Sequence, residues 1–196
     1  MSIRPLKAVL FAAALGPVAW LGWGAWTDAL GANPIETITR ETGTWTLRLL
    51  VLSLAITPLR RLTGWNDAIR FRRMLGLFAF FYGTLHLLTY VWLDQFFDGA
   101  ALLKDVYKRP FITAGATAFF VMLPLALTST AGMIRRLGGR AWRRLHQLVY
   151  LAAIAGVVHY WWLVKADIRR PRTYALLLAM LLGYRAFVAL RSRARA

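Results

Sequence analysis

The chain has three histidines and no cysteine, and every histidine falls inside or at the edge of a long apolar run. His86 lies in one run, and His146 and His159 lie at the two ends of another. An imidazole in a membrane-length apolar run has few uses: a proton relay, a metal site, a haem ligand, or a hydrogen bond that packs helices. A relay recruits carboxylates as well, and no apolar run here has an interior Asp or Glu. Zinc needs three or four converging ligands, and neither Cys nor a carboxylate is near. Haem iron needs only one or two axial imidazoles. A lone histidine reads as a packing residue as readily as a ligand; three of three in two runs point to iron.

Spacing sharpens the reading. His86 lies 12 residues beyond Met74, and His159 lies 14 beyond Leu145. At ~1.5 Å per helical residue both sit ~18–21 Å into their runs, at similar depth. Two imidazoles at one level on two helices can clamp one haem from both faces. Gly83 and Gly156 each stand three residues before a histidine, where a missing side chain leaves room for a flat macrocycle; membrane helices also favour glycine for packing. His146 is 13 residues before His159, hence ~20 Å away along one helix. The matching position before His86 is Arg72, which stays protonated and is a poor iron ligand but a good partner for a haem propionate or a flavin phosphate. The expectation is an outer haem on His86 and His159. His146 then holds a second redox group, haem in preference to flavin, with Arg72 or Arg73 as ionic partner. Arg48 is a candidate for an outer propionate, or it snorkels to the interface.

These side chains need helices to carry them. Hydrophobic residues make up 59% of 196, above the usual half for a soluble domain. A span takes about 20 mostly apolar residues, and six are expected: 7–26, 44–59, 74–93, 110–128, 145–164 and 173–190. The fold class is therefore all-α, an integral membrane bundle of about six transmembrane helices in one domain over 1–196. The first run continues to Trp26 with no convincing cleavage site, so it reads as a retained anchor. Trp20, Trp23, Trp26, Trp45, Trp92, Trp161 and Trp162 fall near span ends, as interfacial aromatics do. The net charge of +17 is clustered between apolar runs, which argues for topology and lipid contact and against nucleic acid. With both termini in the cytoplasm of a bacterial inner membrane, 16 Lys and Arg lie inside and eight outside, in keeping with the positive-inside bias. Lys165, Arg169, Arg170 and Arg172 dissent from that bias.

At this point the residues resemble a known family. Histidines 13–14 apart on two spans look like the ferric reductase and NADPH oxidase transmembrane domain. Closer still, the chain resembles the MsrQ (YedZ) family, the haem-binding membrane subunits of MsrPQ methionine sulfoxide reductase systems. The resemblance covers nearly the whole chain. It rests on Asn33-Pro34-Ile35-Glu36, Thr57-Pro58-Leu59-Arg60-Arg61, Arg72-Arg73-Met74-Leu75-Gly76-Leu77, the His86 span, Lys108-Arg109-Pro110, Leu127-Thr128-Ser129 and Trp142-Arg143-Arg144-Leu145-His146. It implies one or two haem b groups with His86, His146 and His159 on iron, FMN as a further cofactor, and electron delivery to a periplasmic molybdenum enzyme (MsrP-like) that repairs oxidised methionine. Arg72 stands where the oxidases carry a fourth histidine.

The function expected is that of a non-catalytic electron-transfer subunit. The rivals are a cytochrome b serving another oxidoreductase, and a cofactor-free transporter or assembly factor. Six residues follow Leu190, too few for a nucleotide-binding unit. The expectation is that a separate cytoplasmic flavin reductase, or quinol, supplies the electrons.

Overall fold

Capping signals and apolar runs together set where the helices start and stop. The computed structural model describes residues 3–194, so Arg195, one of the inner basic residues counted above, lies outside the described residues. The described chain folds as α1 (Arg4–Trp26), α2 (Pro34–Thr63), α3 (Ile69–Leu88), α4 (Gly99–Lys108), α5 (Pro110–Leu127), α6 (Ala131–Leu137), α7 (Gly139–His146), α8 (Val149–Leu163) and α9 (Arg169–Arg193). No strand occurs among the described residues.

The second helix is nearly twice the length that hydropathy predicts. Asn33 Oδ1 accepts the Glu36 N–H at 3.1 Å, and Pro34 takes the first helical position, where a missing N–H is harmless. At the far end Gly64, at φ 71°, donates its N–H to the Arg60 carbonyl. The polar first turns satisfy themselves. Arg40 pairs with Glu36, and the hydroxyls of Thr39, Thr42, Thr44 and Thr46 each bond the carbonyl four residues back. Thus Arg40, expected in a loop, rides on α2.

Five stretches are long and apolar enough to cross a membrane: Arg4–Trp26, Pro34–Thr63, Asn66–Asp94, Pro110–Leu127 and Arg169–Ser192. The expected fifth span, 145–164, is where the count of six departs. The chain turns at Gln147 and Leu148, and α8 has 15 residues, ~22 Å of helix against ~30 Å of hydrocarbon. His146 therefore closes α7 and does not open the helix that carries His159. The ~20 Å separation along a single helix axis does not apply.

The core is built on α2. Its Leu47, Leu50 and Leu54 pack with Phe71, Leu75 and Phe78 of α3 and with Ala152, Ala153 and Val157 of α8. Small residues at 152 and 153 let backbones approach closely. Tyr82 is fully buried. Its hydroxyl donates to the Ala14 carbonyl at 2.7 Å and accepts the Val18 N–H at 3.2 Å. It thereby stitches α3 into the α1 ladder beside Pro17. The third loop holds α4, capped by Asp98 Oδ1 on the N–H groups of Ala100 and Ala101. Leu103, Val106 and Tyr107 are exposed on this helix, as in helices that lie in an interface.

Candidate functional site: a facing histidine pair

His86 and His159 come together near the far ends of α3 and α8. Their ring centroids are 6.0 Å apart at an interplanar angle of 74°. Each ring is fixed in the same way. His86 Nδ1 lies 2.9 Å from the Thr39 carbonyl of α2, and His159 Nδ1 lies 2.6 Å from the Phe111 carbonyl of α5. A carbonyl only accepts, so Nδ1 carries the proton in both rings and Nε2 is the lone-pair nitrogen.

A glycine makes each bond possible. Four residues after Thr39 comes Gly43, where a Cβ would lie 3.0 Å from His86 Cε1 and 3.1 Å from Nδ1. Four residues after Phe111 comes Gly115, where a Cβ would lie 2.8 Å from His159 Nδ1. In a helix the carbonyl of residue i points at residue i+4. A glycine there uncovers that carbonyl for a second donor. The α2–α3 and α5–α8 pairs use one device twice.

The glycines singled out from the sequence have a different task. A Cβ on Gly83 would meet Met122 Cε at 3.2 Å and Thr46 Cγ2 at 3.5 Å, and one on Gly156 would meet Leu47 Cδ1 at 3.7 Å. Both are helix-packing positions, and neither opens space beside a histidine.

The spacing would let the two rings hold one metal ion between them. Metal–imidazole bonds of about 2.0 Å on opposite sides of one ion put ring centroids about 6 Å apart. The donor set is two neutral imidazoles with assigned tautomers in an apolar shell, the chemistry haem iron takes. No cluster of three or more His, Cys, Asp or Glu occurs among the described residues. They therefore offer no multi-carboxylate or zinc-type cage.

His146 is a separate site. Its Nε2 lies 3.1 Å from Thr128 Oγ1, and its ring stacks on Trp142 at 3.9 Å and 28°. Trp142 Nε1 donates to the Thr128 carbonyl at 2.9 Å. Arg72 is half-buried and close enough to act on His146 electrostatically, whereas Arg73 is exposed. Arg48 lies over Trp45, 4.7 Å from its ring centroid. Sequence reasoning did not reach Gly43 or Gly115, and it named Thr128 and Trp142 only within motifs of the resemblance, without a role. For Gly43 and Gly115 the available signal was a glycine on a neighbouring helix, and its register against a histidine 43 or 44 residues away needs the helix pairing.

Residues 42–157 match the family described as ferric reductase like transmembrane component. That segment includes Gly43, His86, Gly115 and His146 and stops two residues before His159. The chain is similar to proteins named protein-methionine-sulfoxide reductase heme-binding subunit MsrQ. It is 58% identical over 184 residues to that of Azospira oryzae, covering 93% of this chain and 79% of the relative. It is 55% identical over 192 residues to that of Herminiimonas arsenicoxydans, covering 97% and 88%. It is 50% identical over 199 residues to that of Xanthomonas campestris pv. campestris strain 8004, covering 98% and 91%. No solved structure gives a significant match.

Proposed function

This chain belongs to the MsrQ family of ferric reductase-like membrane proteins, and from that premise we propose that it is the haem-containing electron-transfer subunit of a methionine sulfoxide reductase system. Electrons enter from a cytoplasmic flavoprotein or the quinol pool. They leave to a periplasmic molybdenum-dependent reductase that repairs oxidised proteins. The protein sits in the bacterial inner membrane with both termini in the cytoplasm.

One observation carries the reading: His86 and His159 face each other at 6.0 Å, each with Nδ1 tied to a backbone carbonyl. When bound there, haem b supplies one-electron chemistry. The chain's own residues do the rest. The Thr39 and Phe111 carbonyls hold both rings in the tautomer that presents Nε2, and Gly43 and Gly115 let the rings come close enough to make those bonds. Leu47 and Met122 belong to the surrounding apolar core, which keeps the site dry. Arg48 is the candidate partner for a propionate of this haem. His146, with Arg72 in preference to the exposed Arg73, is the candidate holder of a second redox group, haem or FMN.

The test is optical. Chain purified in detergent should show a low-spin b-type spectrum. After reduction in liposomes by NADPH plus a flavin reductase, or by quinol, it should reoxidise when the periplasmic partner and a methionine sulfoxide are added. A protein without haem would end this reading and favour a cofactor-free transporter or assembly factor.

A further inference from the structure

The connection from α3 to α4 is strained. Past Leu88 the chain runs as a π-helix over Thr89–Asp94, a rare form found mostly at functional sites. Phe96 and Phe97 then take φ values of 48° and 60°, which bulky residues seldom adopt. Such backbone persists where its surroundings fix it. Both phenylalanine side chains are exposed, so burial of their rings does not hold the turn.

One carboxylate of α4 reaches back across it. Asp105 Oδ2 accepts the Tyr90 hydroxyl at 2.7 Å, and Asp105 Oδ1 pairs with Arg109 Nε at 3.2 Å. The Arg109 pair alone would be an ordinary contact one helix turn apart, of small worth at a surface. The Tyr90 bond joins two elements, and an ionised acceptor strengthens it. The Asp105 side chain is 13% exposed, against 48% or more for the carboxylates of the other ion pairs among the described residues.

Each end of this contact leads to a histidine. Tyr90 follows His86 by four residues, about one turn. Arg109 ends α4 and caps α5. Its carbonyl accepts the Ile112 and Thr113 N–H groups at 2.9 and 3.3 Å, and the Thr113 hydroxyl donates to the Val106 carbonyl of α4. Pro110 opens α5 with its φ fixed. The turn so defined carries Phe111, whose carbonyl holds His159 Nδ1. Asp105 thus joins the helix of one histidine to the carbonyl that orients the other, while its own bonds go to neither ring.

We propose, on the reading of His86 and His159 as one ligand pair, that Asp105 is a positioning residue: through Tyr90 and Arg109 it sets the 74° angle between the two rings. The plane of an axial imidazole fixes how its π orbital meets the metal d orbitals. The angle between two such planes therefore tunes the site, and a carboxylate outside the ligand shell holds that angle.

The experiment purifies the full chain in mild detergent with the haem it carries, as wild type, Asp105→Ala, Asp105→Asn, Tyr90→Phe and Asp98→Ala. Asp98 caps α4 through the Ala100 and Ala101 N–H groups. Its loss weakens that helix without removing the Tyr90 bond, so it is the control for a merely structural effect. In low-spin electron paramagnetic resonance the largest g value reports the angle between axial imidazole planes. Asp105→Ala and Tyr90→Phe should both shift it and speed haem loss about three-fold, below the ten-fold scale of a partner bonded to the ligand itself. Asp105→Asn, which keeps an acceptor for Tyr90, should fall between. Asp98→Ala should lower the thermal midpoint and leave the g value alone. Where Asp105→Ala fails to fold, Tyr90→Phe and Asp105→Asn decide. A wild-type g value in every folded Asp105 and Tyr90 variant, or an equal shift in Asp98→Ala, overturns the proposal. A wild-type chain without haem ends the functional reading instead. Nitrogen-15 spectra of the histidine rings then decide the role of Asp105: Asp105→Ala should deplete the Nδ1–H form of His159, and an unchanged tautomer overturns it.

Discussion

Gly115 lies directly against His159: a Cβ there would stand 2.8 Å from Nδ1 and 3.0 Å from Cε1. The ring cannot swing away without breaking its bond to the Phe111 carbonyl. Gly115→Ala should therefore cost the site its tautomer-fixing bond and lower haem content about ten-fold, the scale of losing an outer-shell partner. Gly43→Ala, with contacts of 3.0 and 3.1 Å to His86, should act in the same direction and less. The check is haem per chain together with the low-spin electron paramagnetic resonance signal. An unchanged signal at full haem content in Gly115→Ala would reduce this glycine to ordinary packing.

His86→Ala and His159→Ala should each remove most of the low-spin haem b absorption while the chain still inserts. Absorption spectra and haem assays of membranes expressing each variant decide it. Wild-type spectra from both variants would refute the ligand assignment.

His146→Ala should slow reduction of the chain from the α7 side and leave the His86–His159 spectrum intact, because its ring is engaged elsewhere, with Thr128 and Trp142. Stopped-flow reduction in liposomes measures this. Unchanged rates would make His146 a purely structural member of that cluster.

Tyr82→Phe removes the one hydroxyl that joins α3 to the α1 ladder. It leaves the Ala14 carbonyl and the Val18 N–H without that bridging hydroxyl, which costs about 1–3 kcal/mol. Thermal unfolding in detergent should show a lower midpoint with haem content preserved at the midpoint's low-temperature side. A midpoint equal to wild type would mean that α1 closes its own ladder at Pro17.

Reporter fusions after residue 100 should read as periplasmic and fusions after residue 138 as cytoplasmic, from the bias of 16 basic residues against eight. The opposite pattern would reverse the direction of electron flow drawn above.

By itself the sequence determined the medium and the helical class. Both follow from composition and from the length of the apolar runs, a one-dimensional quantity at ~1.5 Å per residue. It also paired His86 with His159 across 72 intervening positions, although the count from Leu145 runs through the turn at Gln147 and Leu148. Hydropathy alone erred where polar residues satisfy themselves locally, as in the threonine-rich start of α2. It erred again where a helix ends without a proline or glycine, as at Gln147 and Leu148. Only the tertiary structure decided which glycines serve the histidines and which serve packing. Gly83 and Gly156 share helices with the two histidines, whereas Gly43 and Gly115 sit on the helices opposite. What selects the second pair is the rotation and close approach of neighbouring helices, which bring the Thr39 and Phe111 carbonyls to face the rings. The same holds for Arg185 of α9, whose guanidinium lies 5.6 Å from the Tyr150 ring of α8 and donates to the Leu54 carbonyl of α2.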